Sequence, residues 1–325
     1  MRSVPTVADV AAEFSGTFSG QLLRPADAGY DEARTVHNGL VDKRPALIAR
    51  CRGIADVVDA VNLTRKLGLE VAVRGGGHNV AGRATIDGGL VIDLSPMKGI
   101  HVDPTSRTAR AQGGVTWAEL NRETQLHGLA VTGGVVSSTG IAGLTLGGGL
   151  GWLMGKYGLA LDNLRSVELV TAEGKVVRTS QDEEPDLFWA VRGGGGNFGV
   201  ATSLEYQLHA VGPAVTAGLI VHPFDGARDL LRFFRDSTAS LPDEHTIFGT
   251  LTHAPDGSGT KVAARRRATA AHLRPAKKQC GRSSNSGLLL SMRSVQCPTA
   301  NSTGCSMAPI REGHSTIGNR ASSPG

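Results

Sequence analysis

Between Val73 and Val80 the chain reads VRGGGHNV, setting an arginine, three glycines, an imidazole and an amide side chain next to one another. Glycine loses more conformational entropy on folding than any other residue, so a glycine run marks a place where something must approach the backbone closely. Arg74, Gly75, Gly76, Gly77, His78 and Asn79 are therefore candidate ligand-contacting residues. An imidazole there could act as nucleophile, base or ligand near neutral pH. A lone loop histidine is more simply a solvated or hydrogen-bonded bystander, and the residues alone leave both readings open. His37 and His101 carry no motif.

Two more glycine clusters follow. The first, GGVVSSTGIAGLTLGGGLGWLMGKYG, runs from Gly133 to Gly158. A flexible linker would be polar, whereas here Val135, Ile141, Leu144, Leu146, Leu150 and Trp152 are interleaved with the glycines, so the segment is packed. With Ser138 and Thr139 embedded, it offers free backbone N–H groups and hydroxyls suited to a phosphate-bearing ligand, tight packing being the other reading. The second cluster, Gly193 to Gly199, satisfies G-x-G-x-x-G at Gly194, Gly196 and Gly199. A dinucleotide fingerprint leads from strand to helix; here a helix precedes the glycines and a strand follows, which is the wrong order. No G-x-x-x-x-G-K-[ST] phosphate loop occurs.

The elements that must position these clusters are legible from periodicity. Ile54 to Leu67 reads as an amphipathic helix stopped by Gly68, and Glu70 to Arg74 as a strand feeding the first glycine loop. Leu90–Leu94 and Thr108–Gln112 read as short strands. Thr116–His127 reads as a helix with Thr116 as N-cap, Glu119 completing a capping box and Gly128 past its end. Ser166–Thr179 splits into a hairpin at Glu173-Gly174, Pro185–Val191 forms a helix, and Val200–Leu208 alternates as a strand. Past Pro213 the pattern gives strands at 214–222, 246–253 and 260–263 around a helix at 227–240.

Net charge is +5, but residues 264–325 carry +9 of it, leaving a body of −4. That excludes a basic nucleic-acid platform in the body; a basic run without aromatics offers only salt-sensitive, nonspecific contact. Residues 264–325 have no aromatic side chain and three of the four cysteines, in no metal-ligand spacing. This segment is expected to be a disordered basic tail, either natural or the product of a changed reading frame. No run of apolar residues is long enough to span a membrane, and Met1–Ser19 lacks a basic region followed by an apolar stretch, giving the expectation of a cytoplasmic protein without membrane contact.

Four motifs in order, VRGGGHNVAG, GLAVTGGVVSSTGIAGLTLGGGLGWL, YGLALDNL and DLFWAVRGGGGNFGV, make the stretch from about Leu22 to Ala263 resemble the berberine-bridge-enzyme-like FAD-linked oxidases of the vanillyl-alcohol-oxidase and p-cresol-methylhydroxylase superfamily. The resemblance implies an α+β fold: a p-cresol-methylhydroxylase-type FAD-binding domain of two α/β subdomains over 1–212, then an incomplete antiparallel-sheet substrate domain over 213–263. It implies that the first glycine loop wraps the FAD pyrophosphate and that His78 bonds covalently to the flavin 8α carbon. It also carries flavin and pyrophosphate contacts onto Gly134, Ser138, Thr139, Gly140, Gly143, Gly147 and Gly148, and adenine contacts onto Gly199 and Val200. Some members add a cysteinyl tether; Val136 stands at that position, so a single bond is implied.

The implied reaction is hydride transfer from an alcohol, sugar or similar small molecule to the flavin, with oxygen as the second substrate. In the family the base comes from the C-terminal half, often as a tyrosine. Tyr30, Tyr157 and Tyr206 all precede that half, so no catalytic base is assigned. The alternative is a non-catalytic FAD-binding remnant.

Overall fold

Leu90–Asp93 (β4) is buried along its whole length, and the reason is its neighbours. In the computed structural model, which describes residues 18–212, 215–254 and 256–269, β4 pairs in parallel with both Leu47–Arg50 (β2) and Val71–Arg74 (β3). Parallel strands need a crossover, and here it is the helix Ile54–Leu67 (α2). That helix closes on Gly68, whose φ of 62° is the left-handed geometry of a helix stop. Asp56 in its first turn is buried and accepts from the Ser19 and Arg52 backbone N–H groups. Gln21–Leu23 (β1) adds an antiparallel edge, giving the order β1-β2-β4-β3, and Tyr30–Arg34 (α1) covers it. Cys51 is fully buried beside this sheet; desolvation holds its thiol far above the usual range, so it is an inert apolar filler.

The second layer is antiparallel. Ile100–Asp103 (β5), Thr108–Gln112 (β6), Val200–Gln207 (β10), Leu164–Val170 (β8) and Val176–Ser180 (β9) form one sheet in that order. The helix Trp117–Gln125 (α3) begins with the expected capping box between Thr116 and Glu119. It buries Trp117 and Leu120 against Leu204 and Tyr206 of β10, Ile141 and Ala160. Leu129–Ala130 (β7) pairs with His209–Ala210 (β11). The helix Pro185–Gly194 (α6) keeps helical dihedrals only to Val191, where the sequence pattern ends it. It precedes β10, so the third glycine cluster joins helix to strand, in the order that rules out a Rossmann turn.

Two short helices were not legible in the glycine-rich middle segment: Ile141–Leu146 (α4) and Met154–Tyr157 (α5). Beyond Val215, Thr216–Pro223 (β12), His245–His253 (β13) and Lys261–Thr269 (β14) make a third antiparallel sheet, with Ala227–Thr238 (α7) on one face. This corrects the expected boundary at 263. The strand expected at 260–263 continues to Thr269 and is the central one, with Ala264 to Thr269 paired to β12 on one side and β13 on the other. The arginine run reads as solvated tail, yet Arg265 lies over the Phe233 ring at 4.8 Å and Arg267 bonds the His245 imidazole at 2.8 Å. The expectation of a disordered tail otherwise falls on residues 270–325, outside the described residues. Among the described residues no helix is long and apolar enough to cross a membrane.

Candidate functional site: a glycine cradle closed by His78

The first and second glycine clusters meet backbone to backbone. A β-carbon built on Gly76 would lie 2.2 Å from the Gly140 nitrogen, and one built on Gly140 would lie 2.4 Å from the Gly76 nitrogen. No side chain fits between them. The second cluster is held by α3: Trp117 N–H donates to the Thr139 carbonyl, Ala118 N–H to Ser137 and Ile141 N–H to Val115. The first is held by β3 and by His37, whose backbone N–H donates to the Gly77 carbonyl at 3.0 Å.

His78 is the side chain delivered to this junction. Its Nε2 lies 3.0 Å from Ser138 Oγ, and its Nδ1 3.5 Å from Thr139 Oγ1. His37 stacks on it, with ring centroids 3.9 Å apart and planes at 15°. Burial first, then the neighbouring His37, holds the His78 pKa below its usual value, so the imidazole is neutral and carries a free lone pair at neutral pH.

The strand that follows the third cluster, β10, reaches the same junction through Gly113. A β-carbon on Gly75 would meet the Gly113 carbonyl at 3.0 Å, and one on Gly113 would meet the Ala201 carbonyl, in β10, at 2.2 Å. Gly113 N–H donates to Thr202. Gly113 and Gly114 escaped the sequence reading; the signal was the pair following β6, too short to stand out beside longer runs. His37 was also missed, since nothing in its surroundings marks it.

The remaining candidates divide by what their environment requires. Gly134 is glycine for packing reasons, because a β-carbon would sit 3.0 Å from Leu144 and 3.2 Å from Trp117. Gly199, at φ 149°, presses on the Val170 carbonyl, and the Val200 side chain is buried in the core with Val170. Arg74 turns its guanidinium to the Ala33 carbonyl and underlies Gly77, shaping the loop. Asn79 Oδ1 accepts from Arg83 N–H in an exposed turn.

Gly143 and Gly147 are different, and Gly148 shares their open surroundings although its φ of 121° itself calls for glycine. Gly143 sits inside α4, exposed, and a β-carbon there would meet no atom within 4 Å; at Gly147 the nearest is 3.5 Å away and at Gly148 4.0 Å. Alanine would favour the helix at Gly143, so its absence is not explained by the chain's own packing. Among the described residues, the backbone N–H groups of Gly76, Gly77, His78, Ser138 and Gly140 donate to no protein acceptor. Clustered free N–H groups beside an open glycine surface form an anion-binding concavity, and a diphosphate with an attached flat ring system fits that donor set.

A family model described as an FAD binding domain matches residues 45–180, which span both glycine loops. The (R)-6-hydroxynicotine oxidase of Paenarthrobacter nicotinovorans is 46% identical over 204 residues, 63% of this chain and 44% of that protein. Residues 45–180 of the chain are an FAD-binding domain. Among solved structures, the chain is similar to 6-hydroxy-D-nicotine oxidase from Arthrobacter nicotinovorans, with TM-score 0.74 and 39% identity over 79% of this chain and 56% of that one. It is also similar to Physcomitrella patens BBE-like 1, with TM-score 0.74 and 26% identity over 80% and 56%. These place its α+β fold in the vanillyl-alcohol-oxidase and p-cresol-methylhydroxylase superfamily, and its cofactor is FAD. The chain spans about half the length of the relatives it matches.

Proposed function

We propose that this protein is an oxidase holding FAD covalently through His78, and that it oxidises an alcohol, sugar or similar small molecule with oxygen as electron acceptor. One observation carries the reading: an imidazole stands at the contact between the two glycine loops, its nitrogens facing the hydroxyls of Ser138 and Thr139. When bound, FAD would supply the redox chemistry, hydride acceptance from substrate and electron transfer to oxygen. The protein's share is positional. Gly75, Gly76 and Gly77 present N–H groups to the diphosphate, Gly143, Gly147 and Gly148 leave room for the cofactor, and Ser138 and Thr139 orient His78. A division into an FAD-binding unit ending near 212 and a substrate-side unit built on β12, β13 and β14 belongs to the same reading. A similar protein that is a 6-hydroxynicotine oxidase supports a small organic substrate.

Denaturing the purified protein in acid tests the reading: yellow colour should stay with the pellet in the wild type and leave with the supernatant in His78→Ala.

A second reading, a flavin-binding protein without turnover, is favoured by the tyrosines. Tyr30 donates to the Pro45 carbonyl, Tyr157 stacks on His209, and Tyr206 is fully buried against Thr145 with its pKa pushed upward by desolvation. All three are committed to structure. Peroxide release on any alcohol or sugar would decide for the oxidase.

A further inference from the structure

His78 is clamped on three sides, and only one clamp is ionisable. Ser138 and Thr139 face its two nitrogens with hydroxyls. Arg74, the nearest cation on the loop itself, turns its guanidinium away to the Ala33 carbonyl beneath Gly77. His37, from the segment after α1, covers one face of the ring in near-parallel contact at 3.9 Å while exposing its own other face to solvent. We infer that His37 is a positioning residue for His78, fixing the plane of its imidazole and opposing a positive charge on it.

The physical basis is simple. Two imidazolium ions at that separation repel strongly, so the pair accepts one proton far more readily than two. Burial already disfavours the charge on His78, and the ring stacked on its face keeps water from solvating that charge. The stacked ring therefore opposes protonation of His78 and favours the form that keeps a lone pair. The stack also fixes rotation about the His78 side chain, so that the nitrogen bonded to Ser138 and the nitrogen near Thr139 do not exchange places. His37 itself is anchored by its backbone N–H to Gly77, which ties the clamp to the glycine loop that it serves.

This inference rests on the proposed covalent attachment for its consequence. In that attachment the unprotonated His78 ring nitrogen would gain a bond to the 8α carbon, and the imidazole would give up the proton on its other nitrogen. One C–H bond at that carbon breaks, and its electron pair leaves through the ring system to dioxygen, which takes the two released protons and becomes peroxide. Only the neutral imidazole can start the step, so the charge state of His78 sets its rate.

The test uses full-length His37→Phe, which keeps a stacked ring without a charge, and His37→Ala, which removes both. The anchoring N–H is backbone and survives in each. Flavin retained after acid precipitation is followed over time at pH 6 and pH 8, against total flavin bound. Attachment in His37→Phe should slow about threefold at pH 6 and match the wild type at pH 8, while His37→Ala should slow at both. Equal rates in all three proteins, or loss of total flavin in step with covalent flavin, overturns the inference. If the wild type holds no covalent flavin, the attachment itself is refuted, and His78 is then free for NMR titration in the same proteins. Its midpoint should move upward in both variants; an unmoved midpoint overturns the inference independently.

Discussion

Gly76 and Gly140 lie so close that neither has room for a single methyl group: a β-carbon on one would stand 2.2 Å, and on the other 2.4 Å, from the opposite backbone nitrogen. This contact joins two glycine loops from different sheets and places His78 beside Ser138. Alanine at either position must part the loops or move α3, which holds the second loop through Trp117 and Ala118. We expect Gly76→Ala and Gly140→Ala each to cost more than about 4 kcal/mol, read as loss of a cooperative unfolding transition.

Gly143 gives the opposite expectation. Nothing lies within 4 Å of a β-carbon there, and the residue sits inside α4. In flavin-free protein Gly143→Ala should be neutral or stabilise by up to about 1 kcal/mol. With FAD present the same methyl group enters the cradle, so flavin affinity should fall. Thermal unfolding with and without FAD reads both effects in one experiment.

Three histidines set the pH response. Burial lowers the pKa of His78, His209 and His245 from the ordinary 6.5, with His37 adding to the effect at His78 and Arg267 at His245. Each binds its proton more readily in the unfolded chain, so stability is present above pH 6.5 and is lost as the pH falls below it through the folded values. The unfolding midpoint should decline from pH 7.5 to pH 5. Substituting His209 should flatten the decline.

Tyr206 separates structure from catalysis. Its hydroxyl and that of Thr145 are 2.8 Å apart and fully buried. Tyr206→Phe leaves Thr145 without a partner, at a cost of about 1–2 kcal/mol. The unfolding temperature should drop while flavin bound per folded molecule stays constant.

Much of this was legible in the residues because local signals agreed. The helix from Ile54 to Leu67 carries its periodicity, its stop at Gly68 and its place between two strands, and it appears with those bounds. Thr116 and Glu119 announced a capping box that forms. What stayed hidden depends on contacts distant in sequence. His37 gains its meaning from a ring 41 residues later in the chain. Gly113 matters because β10 passes over it. Arg265 to Arg267 have the composition of a solvated tail, and become the centre of a sheet only because β12 and β13 flank them and Phe233 and His245 receive two of the guanidinium groups.

The most direct test of the central claim is the visible spectrum of acid-precipitated, washed protein, compared between wild type and His78→Ala. Flavin absorbance near one equivalent in the wild-type pellet, absent from the variant, is the predicted result. A colourless wild-type pellet from folded, flavin-saturated protein, or equal absorbance in both, would contradict it.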